Sequence, residues 1–170
     1  GSLCLDANTT GNGNTAMGKE ALTVNTTGDQ NTAIGKRALY LNSTGEQNVA
    51  VGFQCLNSNT TGSACAALGK NALQDNTTGD NNTATGENAL ANNTTGNTNT
   101  ALGSSALVTN TTGFDNTACG FKAGQDISSG HNNVCLGHDA GTSNSPSGSI
   151  STGSDTICLG DNDINDLFCA

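Results

Sequence analysis

The chain of 170 residues has no tryptophan, one tyrosine, four phenylalanines, one proline and one methionine, and only 33% of it is hydrophobic. A conventional globular core, which packs bulky apolar side chains at near-crystal density, is excluded by that shortage. Five lysines and arginines against 14 acids give a net charge of -9. No basic patch is left to neutralise phosphates, so no nucleic-acid partner is expected. No apolar run approaches the ~20 residues of a membrane span, and no signal-peptide pattern is present, so no membrane insertion is expected either.

What the chain does have is glycine on a fixed step. Gly11, Gly28, Gly45, Gly62, Gly79, Gly96, Gly113 and Gly130 stand seventeen residues apart. A second series, Gly18, Gly35, Gly52, Gly69, Gly86, Gly103, Gly120 and Gly137, follows seven residues behind. So polar a composition would otherwise mean disorder, since it buries too little apolar surface to offset ordering entropy. Strict repetition overrides that, because stacked units cover one another's small apolar groups.

Each unit opens with Asn, two hydroxyl residues and Gly, as in Asn25 to Gly28, a turn built on residues that tolerate left-handed backbone or cap local amides. A stretch such as Asn31-Thr32-Ala33-Ile34-Gly35 follows, and alternation along a strand puts Thr32 and Ile34 on one face and Ala33 on the other. Beyond the second glycine come two polar residues and Ala-Leu, as at Ala38-Leu39. Seventeen residues are too few for a helix-bearing repeat, so two short strands and two glycine corners are expected.

The predicted fold is all-β, a parallel β-solenoid of about nine coils, counting Thr156 to Gly160 as the last strand motif. At ~4.8 Å per strand the stack measures roughly 43 Å. The Thr and Leu face is expected to turn inward, leaving an Ala face for side-by-side copies. Gly1-Ser2 reads as a cloning scar, 3–141 as regular repeats beginning mid-unit, 142–152 as an insertion loop, and 153–170 as a last repeat with a cap. Six extra residues separate Gly137 from Gly160, with Gly153 in the corresponding slot of the first series. That loop, which holds Pro146, is either a binding loop or a terminal irregularity.

The motif Asn31 to Gly35, with its variants Asn48 to Gly52 and Asn133 to Gly137, resembles the head repeats of trimeric autotransporter adhesins. It is also similar to Asn-Thr-Thr-Gly-rich repeats of phage tail fibres and large-virus surface proteins. The resemblance covers roughly residues 8 to 160. It implies a homotrimer of left-handed parallel β-rolls, serving as stalk or adhesive head, with a host-surface receptor as partner. The repeat is longer than the adhesin unit, however, and the chain carries seven cysteines.

Cys4 and Cys55 take the Ala slot before Leu, Cys135 and Cys158 the strand Ala, Cys119 the large apolar slot and Cys65 the strand Asn, with Cys169 near the end. Most therefore read as buried thiols behaving as small hydrophobes. Cys135 and Cys158 alone share a position in adjacent coils, within disulfide reach, and are the one possible bridge. The odd count and scattered slots otherwise point to assembly in a reducing cytosol, which favours a virion component over an exported adhesin.

Other chemistry is sparse. His131, Cys135 and His138 have a metal-like spacing, but the histidines follow repeat glycines and read as solvated corners. Asp161, Asp163 and Asp166 hint at calcium without the glycine and distal glutamate of a calcium loop, and a cap formed with Ile164, Leu167 and Phe168 is the plainer reading. Sequons recur at Asn8, Asn25, Asn42, Asn59, Asn76, Asn81, Asn92, Asn93 and Asn110, where turn chemistry already explains the Asn. Thr15, Thr32, Thr83, Thr100 and Thr117 form the kind of column an ice-binding solenoid presents, interrupted by Val49, Ala66 and Val134. No catalytic constellation, cofactor or metal site is expected. The expected role is a non-enzymatic fibre domain at a viral or phage surface, for host attachment or spacing, with a bacterial adhesin head and an ice binder as alternatives.

Overall fold

The computed structural model describes residues 3–145 and 148–161. Among these residues nine three-residue strands form one parallel sheet in sequence order: β1 (Thr15–Met17), β2 (Thr32–Ile34), β3 (Val49–Val51), β4 (Ala66–Leu68), β5 (Thr83–Thr85), β6 (Thr100–Leu102), β7 (Thr117–Cys119), β8 (Val134–Leu136) and β9 (Ile157–Leu159). Each strand lies on the equivalent residues of the next, Ala33 on Ala50 and Ala84 on Ala101, so the fold is the expected β-solenoid. Pairing continues outside the strands. Leu22 N–H donates to Ala38 C=O at 3.1 Å, and Thr26 N–H to Ser43 C=O at 2.9 Å.

The orientation of the strand is the reverse of the expectation. Ala33, Ala50, Ala84, Ala101 and Ala118 are fully buried, whereas Met17, Leu68 and Leu102 in the flanking slots are half exposed or more. A coil of this circumference already places a leucine such as Leu39 or Leu90 at its centre, fully buried. Only a methyl fits opposite it without overpacking. The Ala column is therefore each chain's own core, and the case for neighbouring copies on an Ala face falls with it.

The Ala-Leu half is also not a strand. It runs as consecutive turns from Gly18 to Val24 and in the equivalent segments. The reason is left-handed backbone at non-glycine residues: Arg37 has φ 59°, Leu39 φ 50° and Gln30 φ 57°, and the same three slots recur along the stack. Alternating handedness swings Ala38 and Leu39 inward together, which no strand permits. Each such residue costs about 1 kcal/mol relative to right-handed backbone, a strain the surrounding ladders must outweigh.

The two glycine series serve different needs. Gly35 has φ 133°, a region closed to side chains, and a Cβ there would also lie 2.3 Å from Gly52 O. Gly28 is not left-handed, contrary to the turn expected there. A Cβ on it would meet Gly45 O at 2.3 Å and Asn25 Oδ1 at 2.6 Å, so close stacking alone demands glycine.

Two asparagine ladders run through the interior. Asn25, Asn42, Asn59, Asn76, Asn93 and Asn110 each donate from Nδ2 to Oδ1 of the residue seventeen earlier, at 2.7 to 2.8 Å. In the second, Asn31 Nδ2 donates to Gly45 C=O at 2.8 Å while its Oδ1 accepts from Asn48 N–H at 3.0 Å. Buried polar side chains are tolerable because their bonds are made. These residues line the buried wall of most coils, and so few bulky apolar groups suffice.

The last coils repack. Where other coils carry Leu and Asn three apart, the chain has Gly124 with Ile127 and Gly141 with Ile150. A Cβ on Gly124 would lie 2.9 Å from Leu107 Cδ2 and 3.2 Å from Ile127 Cδ1, so the isoleucine fills the space the leucine leaves. Ile150 does the same over Gly141. The first Asn ladder consequently ends at Asn110, whose Oδ1 is buried without a partner. Ser128 N–H donates to Ser151 C=O at 2.7 Å, so pairing with the preceding coil is in place again at Ser151. Residues 1–2, Pro146 and the cap residues 162–170 lie outside the described residues.

Candidate functional surface: the strand face and its two edges

Since Ala points in, the first and third residues of every strand point out, and two columns of side chains stand on the outer face of the sheet. One column is Thr15, Thr32, Val49, Ala66, Thr83, Thr100, Thr117, Val134 and Ile157. The other is Met17, Ile34, Val51, Leu68, Thr85, Leu102, Cys119, Leu136 and Leu159. No charged residue stands in either. Of the twelve exposed large hydrophobic residues among the described ones, seven belong to this face, and Phe53, Phe114 and Phe121 flank it. Contiguous exposed apolar surface of this kind marks an interaction site.

The residues just after the two glycine series border the strand at either end. Beside β7 and β8 both borders are aromatic. Phe114 and His131 stack with ring centroids 4.6 Å apart, and Phe121 and His138 with centroids 5.3 Å apart. Beside β1 to β4 the border after the second glycine is basic, with Lys19, Lys36 and Lys70, whereas Asp29 and Glu46 stand at the opposite one. Arg37 Nε donates to Glu20 Oε2 at 2.5 Å, and that guanidinium holds the Glu20 carboxyl below its ordinary value. Sequence reading missed this partition because it had turned the face inward, although the step of seventeen that aligns the borders was visible.

The metal-like spacing does not converge. His131 is half-buried rather than solvated, with Nδ1 2.8 Å from Ser154 Oγ; His138 Nδ1 lies 3.1 Å from Asp161 Oδ2, and Cys135 points into the core. Among the described residues no group of three or more His, Cys, Asp or Glu side chains is placed to hold a metal ion. Asp163 and Asp166 lie outside the described residues.

Cys135 and Cys158 face each other in register across β8 and β9, as thiols. Burial first, and the neighbouring Cys158 second, push the Cys135 thiol up to about 12. Cys55 and Cys65 are likewise buried, their thiols raised to about 12 and about 11 by desolvation. Cys119 is exposed on the strand face, Cys4 is half-buried, and Cys169 lies outside the described residues.

Among the sequons, Asn25, Asn42, Asn59, Asn76, Asn93 and Asn110 are buried ladder members, leaving Asn8, Asn81 and Asn92 exposed. A further exposed column was overlooked: Thr10, Thr27, Thr44, Thr61, Thr78, Thr95, Thr112 and Ser129, unbroken along the turns. Its inner neighbours spend their hydroxyls within the stack, as when Thr26 Oγ1 donates to Ser43 C=O at 3.0 Å.

No helix among the described residues is long and apolar enough to cross a membrane. No family model matches the chain, nor does any curated protein or solved structure.

Proposed function

We propose that this chain is a non-enzymatic segment of a homotrimeric surface fibre of a virus or phage, serving host attachment or spacing. One observation carries the reading: a stack bonded around its whole perimeter that presents a long, uncharged, apolar strand face. Such a stack resists bending and shear, which is what a spacer or attachment rod needs. Buried thiols in small-residue slots support assembly in a reducing compartment, as for particles built inside a host cell. Electron microscopy of source material with antibody to the chain tests the reading. Label on fibres projecting from particles is expected; label confined to a cell envelope overturns it in favour of an adhesin head.

A second reading, ice binding, draws support from the unbroken column from Thr10 to Ser129 beside the interrupted one from Thr15 to Thr117. Thermal hysteresis of the purified protein decides it. A hysteresis gap that grows with concentration establishes ice binding, and its absence removes this reading.

A further inference from the structure

We propose that Cys135 and Cys158 are a redox pair, which a small disulfide such as oxidised glutathione converts to a bond across β8 and β9 that clamps the last coil of the stack. The chemistry is independent of the fibre reading. Only its occasion rests on that reading, since a chain assembled in a reducing compartment meets its oxidant on release.

Position singles out these two cysteines. They stand opposite one another in register, both buried, with their thiols in hydrogen-bonding contact. Parallel neighbours ~4.8 Å apart fall within the Cα separations that a disulfide spans. Cys4 and Cys55 also share a slot, but three coils apart, about 14 Å and out of reach. Packing leaves room for the sulfurs as well. β1 to β7 carry Ala at this position, and a leucine fills the centre of most coils. In the coil of β8 Gly141 takes the leucine slot, and a Cβ on it would lie 2.8 Å from Cys135 Sγ, so the sulfur uses space that the leucine would claim.

The pair also stands where the other fastenings stop. The first Asn ladder has its last member at Asn110, with Ile127 and Ile150 in the following slots, and the second at Asn133, with Thr156 next. Among the described residues β9 has a neighbouring strand on one side only. An edge element with fewer ties opens before the rest. A bond from Cys135 to Cys158 closes a loop around the whole irregular coil, insertion included, and removes conformations from its open state.

Opening supplies the route of reaction, because the closed stack holds both sulfurs away from solvent. One cysteine loses its proton and attacks a sulfur of the glutathione disulfide, expelling a glutathione thiolate and leaving a mixed disulfide. The second cysteine, likewise deprotonated, attacks the protein-bound sulfur and expels the other glutathione. Both protein protons end on the two glutathione thiols, and the two electrons that the cysteines give up reduce the small disulfide.

The full chain, purified under reductant with Cys4→Ser, Cys119→Ser and Cys169→Ser, tests this. Millimolar glutathione disulfide should leave it lighter by two hydrogens, with fragments cut at Asp139 and Asp155 still joined through Cys135 and Cys158. Sub-denaturing urea should speed the reaction, as a route through local opening requires. Hydrogen exchange at the Thr156 and Gly160 amides, which bond to the coil of β8, should slow at least ~10-fold on oxidation and recover with dithiothreitol. Cys158→Ala, which restores the alanine of other coils, should fold and show no such slowing. Thiols unchanged at every urea concentration, or a lasting mixed disulfide with glutathione, overturn the pairing. A bond that leaves exchange unaltered overturns the clamp. Both readouts are made on purified protein, so the fibre reading stands or falls separately with the antibody labelling.

Discussion

Asn42 donates from Nδ2 to Oδ1 of Asn25, seventeen residues earlier, at 2.8 Å, and again to Gly45 C=O in its own coil at 2.9 Å. One side chain thus closes its own turn and ties it to the coil below. The pairing explains why a buried amide can recur in a chain with so little apolar mass.

Truncation in mid-ladder should be costly. Asn59→Ala removes bonds to Asn42 Oδ1 at 2.7 Å and Gly62 C=O at 2.8 Å, and strips Asn76 Nδ2 of an acceptor. Leaving such buried groups unsatisfied should lower stability by about 3 kcal/mol, read as a fall in the urea midpoint. Asn8→Ala, at the exposed end of the same ladder, should cost less than half as much.

The exchange of Leu and Asn for Gly124 and Ile127 should behave as one unit. Gly124→Leu alone forces a side chain against Leu107 and Ile127, and Ile127→Asn alone empties part of the core. Together they recreate the arrangement of Leu107 and Asn110, and Gly124 already has the required backbone, with φ 62°. A double-mutant cycle by urea unfolding should show coupling of at least about 1 kcal/mol in favour of the pair.

Cys65 interrupts the second asparagine ladder, its Sγ reaching Gly79 C=O at 3.3 Å where Asn48 Nδ2 reaches Gly62 C=O at 2.8 Å. Cys65→Asn should restore both the amide donor and an acceptor for Asn82 N–H. A gain of about 1 kcal/mol is expected from thermal or urea unfolding.

Stability should fall at alkaline pH. Cys55 and Cys135 are raised from 9.0 to about 12 and Cys65 from 9.0 to about 11, so between those values the unfolded chain loses protons that the folded chain keeps. Their contribution is fully present below about pH 9 and is lost progressively above it. Urea midpoints measured from pH 8 to 11 should decline, and Cys55→Ala, which restores the residue found in equivalent coils, should make the decline shallower.

The repeat length, the parallel solenoid and the nine strand motifs were legible because they depend on periodicity alone. Which side of the strand faces inward was not. Alternation along Thr32-Ala33-Ile34 fixes two faces without saying which is the core, and the preference for burying Ile34 over Ala33 fails where Leu39 already fills the coil. Left-handed Arg37 and Leu39 were equally hidden, since propensity assigns such backbone to glycine and asparagine. The charge partition of the borders could be recognised only once the strand face was known to be outward.

That orientation is the central claim, and the cysteines test it without mutation. Cys119 stands at an outward strand position, whereas Cys135 and Cys158 replace the inward Ala and are buried. Alkylation of the folded monomer, mapped by mass spectrometry of peptides, should modify Cys119 within minutes while Cys135 and Cys158 stay protected until denaturant is added. Modification of Cys135 and Cys158 at the rate of Cys119 in the native state would contradict the account.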